Sequence, residues 1–168
     1  MEHLDKDLQR ALEDLRMGRA SLEEVRSMAA DLGNRHFASG IPDLVQLLEH
    51  EDSIVRYNAV NSLAFEFHYK NVADRLLAIL ARDSDEDCRR IAAAALGDIF
   101  QNSRDRRALS ALANPALYDL DDDVRKSAYK ALLIVNGVSQ DEHVELLRSQ
   151  TLLVDAARVK AILTEVSG

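Results

Sequence analysis

The stretch Asp85-Glu86-Asp87-Cys88-Arg89-Arg90-Ile91-Ala92, with Leu96 shortly after it, decides the fold of this chain. Two ungapped copies share its pattern Asp-x-x-(Val/Cys)-Arg-x-x-Ala-x-x-x-Leu, and they are Asp52–Ala59 with Leu63 and Asp121–Ala128 with Leu132. The arginines of the three copies are 33 and then 36 residues apart. A period of this length is typical of repeat proteins, in which every repeat is one small structural unit.

Each copy follows a second amphipathic stretch, and these stretches are Leu44–Leu48, Leu76–Leu80 and Leu109–Leu117. Apolar residues recur in them at helical spacing. We therefore predict a unit of two antiparallel helices, A and B, joined by an acidic turn. Weaker copies flank the three, so we expect one domain over 1–168 whose units are an N-terminal cap at 4–33, then 39–69, 71–102 and 104–137, and a C-terminal cap at 139–166.

The composition supports an all-α fold. The chain has 168 residues, of which 47% are hydrophobic, with 2 Pro, 6 Gly and no Trp. Ala and Leu dominate, and both are strong helix formers. The length is sufficient to bury a real core.

The net charge of −8 argues against nucleic-acid binding, which usually requires a basic surface to replace phosphate counterions. A basic protein partner is electrostatically easier. We expect no signal peptide, no membrane span and, because Cys88 is the single cysteine, a reducing compartment. The predicted location is cytoplasmic, and the oligomeric state stays open.

With its repeated Asp, Val, Arg, Ala and Leu positions, the chain resembles the HEAT repeat family, in particular the short bacterial HEAT-like repeats also found in phycobilin lyase subunits. The resemblance implies a right-handed α-solenoid of about five antiparallel helix pairs. It also implies that the repeated Asp and Arg residues bond the turn and tie neighbouring units together. The aspartates stand where a helix N-terminus needs a cap, and the arginines repeat on one face, so we expect them to stack as a ladder. These residues are Asp52, Arg56, Asp85, Arg89, Asp121 and Arg125.

The turns carry more acidic residues than capping requires. If the units stack, these residues form an acidic ridge consisting of Glu49, Glu51, Asp83, Asp87, Asp119 and Asp122. A solvated edge with generous caps is the favoured interpretation of this ridge. The functional alternative is a docking strip for a basic partner.

The first complete B helix is unusual because four of the chain's eight aromatic residues lie between Tyr57 and Tyr69. We predict a partner-binding concave face on the B helices, consisting of Tyr57, Asn61, Phe65, His68, Tyr69, Arg90, Asp98, Lys126 and Lys130. For Tyr57 and Phe65, exposure on this face and burial at a junction between units both stay open. Phe67 is predicted to be core. Glu66 stands where other units have Ile99 and Val135, which indicates either a local shift in register or a buried interaction.

No combination of residues predicts an active site or a cofactor. The alternating aspartates lack the Gly and the final Glu of a calcium-binding EF-hand loop, and the chain has one His-Glu dipeptide, where HEAT-type deoxyhypusine hydroxylases use several to hold iron. We therefore expect a non-catalytic protein-protein interaction module, with an adaptor and a toxin-neutralising immunity protein as two such roles. The alternative is a component like a phycobilin lyase or chaperone that handles a small-molecule ligand. A HEAT-like DNA glycosylase is disfavoured by the charge.

Overall fold

A computed structural model describes residues 2–149 and 152–167, and these form ten α-helices and no β-strand. The helices are α1 (Glu2–Arg16), α2 (Leu22–Asn34), α3 (Ile41–Leu47), α4 (Ser53–Asn61), α5 (Ala73–Arg82), α6 (Glu86–Ile99), α7 (Arg106–Tyr118), α8 (Asp122–Asn136), α9 (Gln140–Arg148) and α10 (Ala156–Ser167). Short 3₁₀ turns span Ala38–Gly40 and Lys70–Val72, and a π-helical turn spans Ser62–Glu66. The all-α prediction is confirmed. Of the predicted domain, Met1, Gln150, Thr151 and Gly168 lie outside the described residues.

The helices pack as pairs within two compact units, Met1–Val72 and Ala73–Gly168. In the first unit α1 packs on α2 and α3 packs on α4, and the B helices α2 and α4 also pack on each other. In the second unit α5 pairs with α6 and α7 pairs with α8, while α6 packs on α8. This arrangement confirms the predicted solenoid of A and B helices. The division between the units follows Val72, two residues into the predicted repeat 71–102.

In each acidic turn two side chains accept hydrogen bonds from backbone N–H groups. Asp52, Asp85 and Asp121 accept hydrogen bonds from the backbone N–H three residues later, at 3.1, 3.0 and 2.9 Å. Such a cap satisfies one of the N–H groups that the first helical turn leaves without a partner. Two residues before each cap, His50, Asp83 and Asp119 accept from the backbone N–H of the capping residue itself. The position before the cap is therefore structural as well.

The repeated arginines bind the backbone of the turns, and their stacking as a ladder stays a prediction. In each case Nη1 donates to two backbone carbonyls of the turn that precedes the arginine's own helix, for Arg56 the carbonyls of His50 and Glu51, both at 2.8 Å. Arg89 and Arg125 repeat this geometry at the next two turns. A guanidinium presents its donors in a fixed fork, which suits two adjacent carbonyls. Each arginine therefore stabilises the turn that precedes its own helix.

Small residues let neighbouring B helices approach closely. A Cβ placed on Gly97 of α6 would lie 3.0 Å from both Cα and Cβ of Ala131 on α8. In the first unit Gly33 of α2 faces Ser62 in the same way, and the Ser62 hydroxyl donates to the Ala29 carbonyl at 2.7 Å. This contact is buried, so the hydroxyl has the partner that burial demands.

Two features differ from simple helix pairing. α7 runs from Arg106 to Tyr118 as one helix, with the buried Pro115 inside it. α10 packs mainly on α7, while α9 packs lightly on α8. An ion pair of 2.8 Å between Arg158 of α10 and Glu142 of α9 links these last two helices.

Candidate functional site

The B helix α4 is followed directly by the π-helical turn Ser62–Glu66. The N–H of Phe67 donates to the carbonyl of Ser62, five residues back, at 3.0 Å. In α6 the matching N–H of Phe100 donates to Leu96, four residues back. A π turn accommodates one additional residue, and such turns occur often at functional sites. Glu66 lies within it and is half-exposed, so the local shift in register explains why a carboxylate occupies a slot that is apolar elsewhere.

The predicted aromatic face surrounds this turn. Tyr57, Asn61, Phe65 and Tyr69 are half-buried, and His68 is exposed with a positive φ of 48°. Helical spacing places Tyr57 and Asn61 on one side of α4, and Phe65 follows in the π-helical turn. Tyr57, Phe65 and Tyr69 are each partly accessible to solvent.

Two further residues complete the description of this region. Phe67, predicted to be core, is half-buried, and its ring meets that of His36 edge-on at a centroid distance of 6.1 Å. Ile54 lies one helical turn before Tyr57 and is 49% exposed, which extends the apolar face. The sequence carried a signal for Ile54 because its slot holds Asp87 and Asp123 in the other copies.

The second unit places three of its four predicted face residues around one open cleft. Arg90, Lys126 and Lys130 line a cleft of ≈ 510 Å³ on α6 and α8, whereas Asp98 is exposed outside it. Lys126 pairs with Asp122, and the hydrogen bond that its ammonium donates to this carboxylate raises the pKa of Lys126.

The other two cations of the cleft also have partners. Arg90 pairs with Asp87 at 2.7 Å, and Lys130 donates to the Ser149 carbonyl at 2.7 Å. The cleft is therefore a charged surface whose cations are matched within the protein.

The six acidic turn residues differ in their exposure and in their ion pairs. Glu51, Asp87 and Asp122 are exposed, and the last two pair with nearby cations. Glu49 is exposed as well, and Asp83 is half-buried. These positions fit a solvated edge with internal ion pairs better than an open anionic strip.

Asp119 departs from the predicted ridge altogether. Its side chain is 9% exposed, and Nε and Nη2 of Arg89 each donate to one of its oxygens at 2.9 Å. This hydrogen bonding lowers the pKa of Asp119 against the opposing effect of its burial. Asp119 therefore links α6 to the turn before α8 and is not available to a partner. The equivalent Arg26 of α2 makes the same bidentate contact with Asp52, at 3.0 and 2.5 Å.

The comparison with protein families identifies this architecture. A model described as HEAT repeats matches residues 10–97, slightly more than half of the chain. The chain belongs to the HEAT repeat family. HEAT repeats generally mediate protein-protein interaction, and HEAT scaffolds are typically non-catalytic. The comparison with curated proteins found no match.

The HEAT units also carry an exposed apolar site that the repeat motif did not predict. Tyr118 and Leu120, at the turn between α7 and α8, are 69% and 97% exposed. A usable signal was present in the sequence, because the matching slots hold Glu49 and Glu51 in one HEAT turn and Arg82 and Ser84 in another. The sequence analysis predicted sites from the acidic turns and the B-helix faces. The signal for Tyr118 and Leu120 is different, because here apolar residues replace polar ones within a turn.

Over residues 2–149 and 152–167 no group of three His, Cys, Asp or Glu side chains is positioned to hold a metal ion. In the same residues, no helix combines the length and apolar character that crossing a bilayer requires.

Proposed function

We propose that this HEAT-repeat chain is a non-catalytic module that binds another protein through the exposed face of its B helices. The observation that supports it most is the apolar face on α4 and the π-helical turn, where Ile54, Tyr57 and Phe65 are each partly exposed. Tyrosine and other large aromatic side chains are enriched among residues that dominate binding energy. A rigid helix offers them at a low cost in conformational entropy.

The electrostatics favour a basic partner. The net charge of −8 attracts a basic protein during diffusional encounter. Glu66 and Glu51 supply local negative charge in the same unit as the aromatic face. An adaptor and a toxin-neutralising immunity protein are both consistent with this chemistry, since either uses a preformed surface and needs no catalytic group.

The decisive experiment compares three forms of the tagged chain in capture from the extract of its own cell, with bound proteins identified by mass spectrometry. The forms are the wild type, Tyr57→Ala/Phe65→Ala, and a control, Met17→Ala/Leu22→Ala. The control removes two apolar side chains that are 67% and 44% exposed elsewhere in the same unit. Circular dichroism establishes that all three are folded.

We expect one stoichiometric protein that the wild type and the control retain and the face variant loses. Removing two interface aromatics should weaken this complex by about a hundredfold or more, since each such residue contributes about 2 kcal/mol or more when it is a hot spot. Equal capture by all three forms would place the interface elsewhere. Co-purification of a chromophore or another small molecule without a protein would support the ligand-handling alternative instead.

A further inference from the structure

The turn between α7 and α8 presents two large apolar side chains to solvent. Asp119 stands between them and is drawn inward by the bidentate hydrogen bonds from Arg89. Tyr118 and Leu120 on either side of it are left 69% and 97% exposed. A leucine this exposed gains nothing from the folded state of the chain, because the hydrophobic effect requires burial.

These side chains border a groove between two A helices. The groove has a volume of ≈ 540 Å³, and Leu77 and Ala81 of α5 and Ala111 and Pro115 of α7 contribute to its lining. This volume falls within the range of pockets that accept ligand groups. Because Ala81 and Ala111 are small, neither helix fills the space between them.

The two helices run in the same direction, so the groove has a defined polarity. Asp74 and Arg107 lie in the first turns of α5 and α7 and form an ion pair of 2.6 Å. Arg82 and Tyr118, the last residues of the same helices, both line the groove at its opposite end. The ion pair thus lies near the N-terminal ends of the two helices and the apolar site near their C-terminal ends, about 12 Å away along α5 and about 16 Å along α7, at 1.5 Å per helical residue.

The groove carries one cation that lacks a counter-charge. Arg82 is exposed, and no carboxylate among the described residues pairs with it. The other charges that line the groove are already engaged. Arg89 and Asp119 pair with each other, and Asp83 accepts from the N–H of Asp85.

We propose that the groove between α5 and α7 docks a short segment of another protein that carries an apolar side chain close to a carboxylate. The apolar side chain enters between Tyr118, Leu120 and the groove floor, and the carboxylate meets Arg82. This surface belongs to A helices, so it is independent of the B-helix face. It gives the module a second partner, which contributes a carboxylate, whereas the partner of the B-helix face is basic. One unmatched cation suits a single carboxylate, whereas an anionic membrane surface is held by several basic residues together.

A random-peptide phage library tests the proposal on the whole chain. The library is selected on the wild type and counter-selected on Tyr118→Ser/Leu120→Ser, whose altered side chains are exposed and leave the core intact. We expect enriched peptides in which an apolar residue lies within one helical turn of Asp or Glu.

The affinity of one selected peptide, synthesised with a fluorescent label, is then measured by anisotropy. Leu120→Ser should weaken binding by about tenfold or more, since the complex removes the apolar surface of the leucine from water. Arg82→Glu should weaken it by about fivefold, the scale of a surface ion pair. Tyr57→Ala/Phe65→Ala should leave it unchanged, which separates this site from the B-helix face.

Three results would overturn the proposal. The first is a selection in which no peptide distinguishes the wild type from the counter-selection variant. The second is enrichment of basic peptides, or an affinity that Arg82→Glu does not reduce. The third is concentration-dependent self-association of the wild type, measured by sedimentation, that Leu120→Ser abolishes, because the occupant would then be a second copy of this chain.

Discussion

α4 and α6 occupy the same place in successive HEAT repeats, yet their exposed faces have opposite character. On α4 and the π-helical turn that continues it, the positions Ile54, Tyr57 and Phe65 are apolar. The matching positions of α6 are Asp87, Arg90 and Asp98, and the first two form an ion pair. The buried faces of the two helices are alike, with Val55, Ala59 and Leu63 on one and Cys88, Ala92 and Leu96 on the other.

This difference shows which part of a repeat is free to specialise. The buried face must fit its neighbours, so the same small and branched residues recur there. The exposed face contributes little to folding and can therefore carry partner recognition. The π-helical turn belongs to the same contrast, since it follows α4 while α6 continues to Ile99 without interruption.

Substitution of Gly97 should disrupt the buried packing of α6 against α8, and we expect it to have the largest effect. In Gly97→Val the new Cβ would lie 3.0 Å from Cα and Cβ of Ala131, so α6 and α8 must separate. We expect a destabilisation of about 3 kcal/mol, at the upper end of the range for overpacking. The melting temperature, followed by circular dichroism, should fall by roughly 6–12 °C.

Ala94→Val is the matched control on the same helix. Ala94 is exposed, so the added methyl groups meet solvent and only helix propensity changes, by about 0.5 kcal/mol. If the two valine variants had the same melting temperature, the close approach of α6 to α8 at Gly97 would be disproved.

A substitution at the cap of α4 should give a smaller effect that depends on pH. The hydrogen bond from Arg26 lowers the pKa of Asp52 to about 2, below the ordinary value near 3.9 that it has in the unfolded chain. A carboxyl whose folded pKa is depressed stabilises the protein above its unfolded pKa and loses that contribution as the pH falls through the folded pKa. Asp52→Asn keeps an acceptor for the N–H of Val55 but removes the charge.

We therefore expect Asp52→Asn to melt below the wild type at pH 7 and the two to converge as the pH falls from about 4 to about 2. Asp105→Asn is the control. Asp105 caps α7 through the N–H of Ala108, and no ion pair to it occurs within the described residues. A melting-temperature difference for Asp52→Asn that stayed constant over this pH range would show that the Arg26 contact does not act electrostatically.

The sequence predicts the helix pairs well because helical periodicity and the capping aspartates are local signals. It does not reveal which carboxylate an arginine meets. Asp119 looks like one more surface residue until the fold brings Arg89 against it, 30 residues away. The packing of α10 on α7 is likewise a contact distant in sequence, without a local pattern.

The exposed sites were partly predictable. The cluster of aromatics from Tyr57 to Tyr69 is visible in the sequence, and comparing equivalent slots between repeats would also have singled out Ile54, Tyr118 and Leu120. The π-helical turn is different, because an ungapped alignment of repeats assumes a constant number of residues per turn. The sign of it in the sequence is Glu66, which occupies a position that is apolar in the other repeats.

The smallest expected effect concerns how the two B helices end. His68 after the π-helical turn and Asn102 after α6 both adopt positive φ, 48° and 55°. Residues with a Cβ are strained in this left-handed region, asparagine less than most, and glycine is not. His68→Gly should therefore stabilise the protein by about 1 kcal/mol, and Asn102→Gly by only a few tenths of a kcal/mol.

Urea denaturation of the two glycine variants beside the wild type measures this difference. A larger gain for His68→Gly would show that the end of α4 stores backbone strain that the end of α6 largely avoids. Strain of this kind is found at binding sites, where it is retained for the geometry it imposes on neighbouring side chains. Equal gains at the two positions would mean that the two helix ends are energetically alike. A loss at His68 would mean that the histidine side chain stabilises the turn by more than its backbone conformation costs.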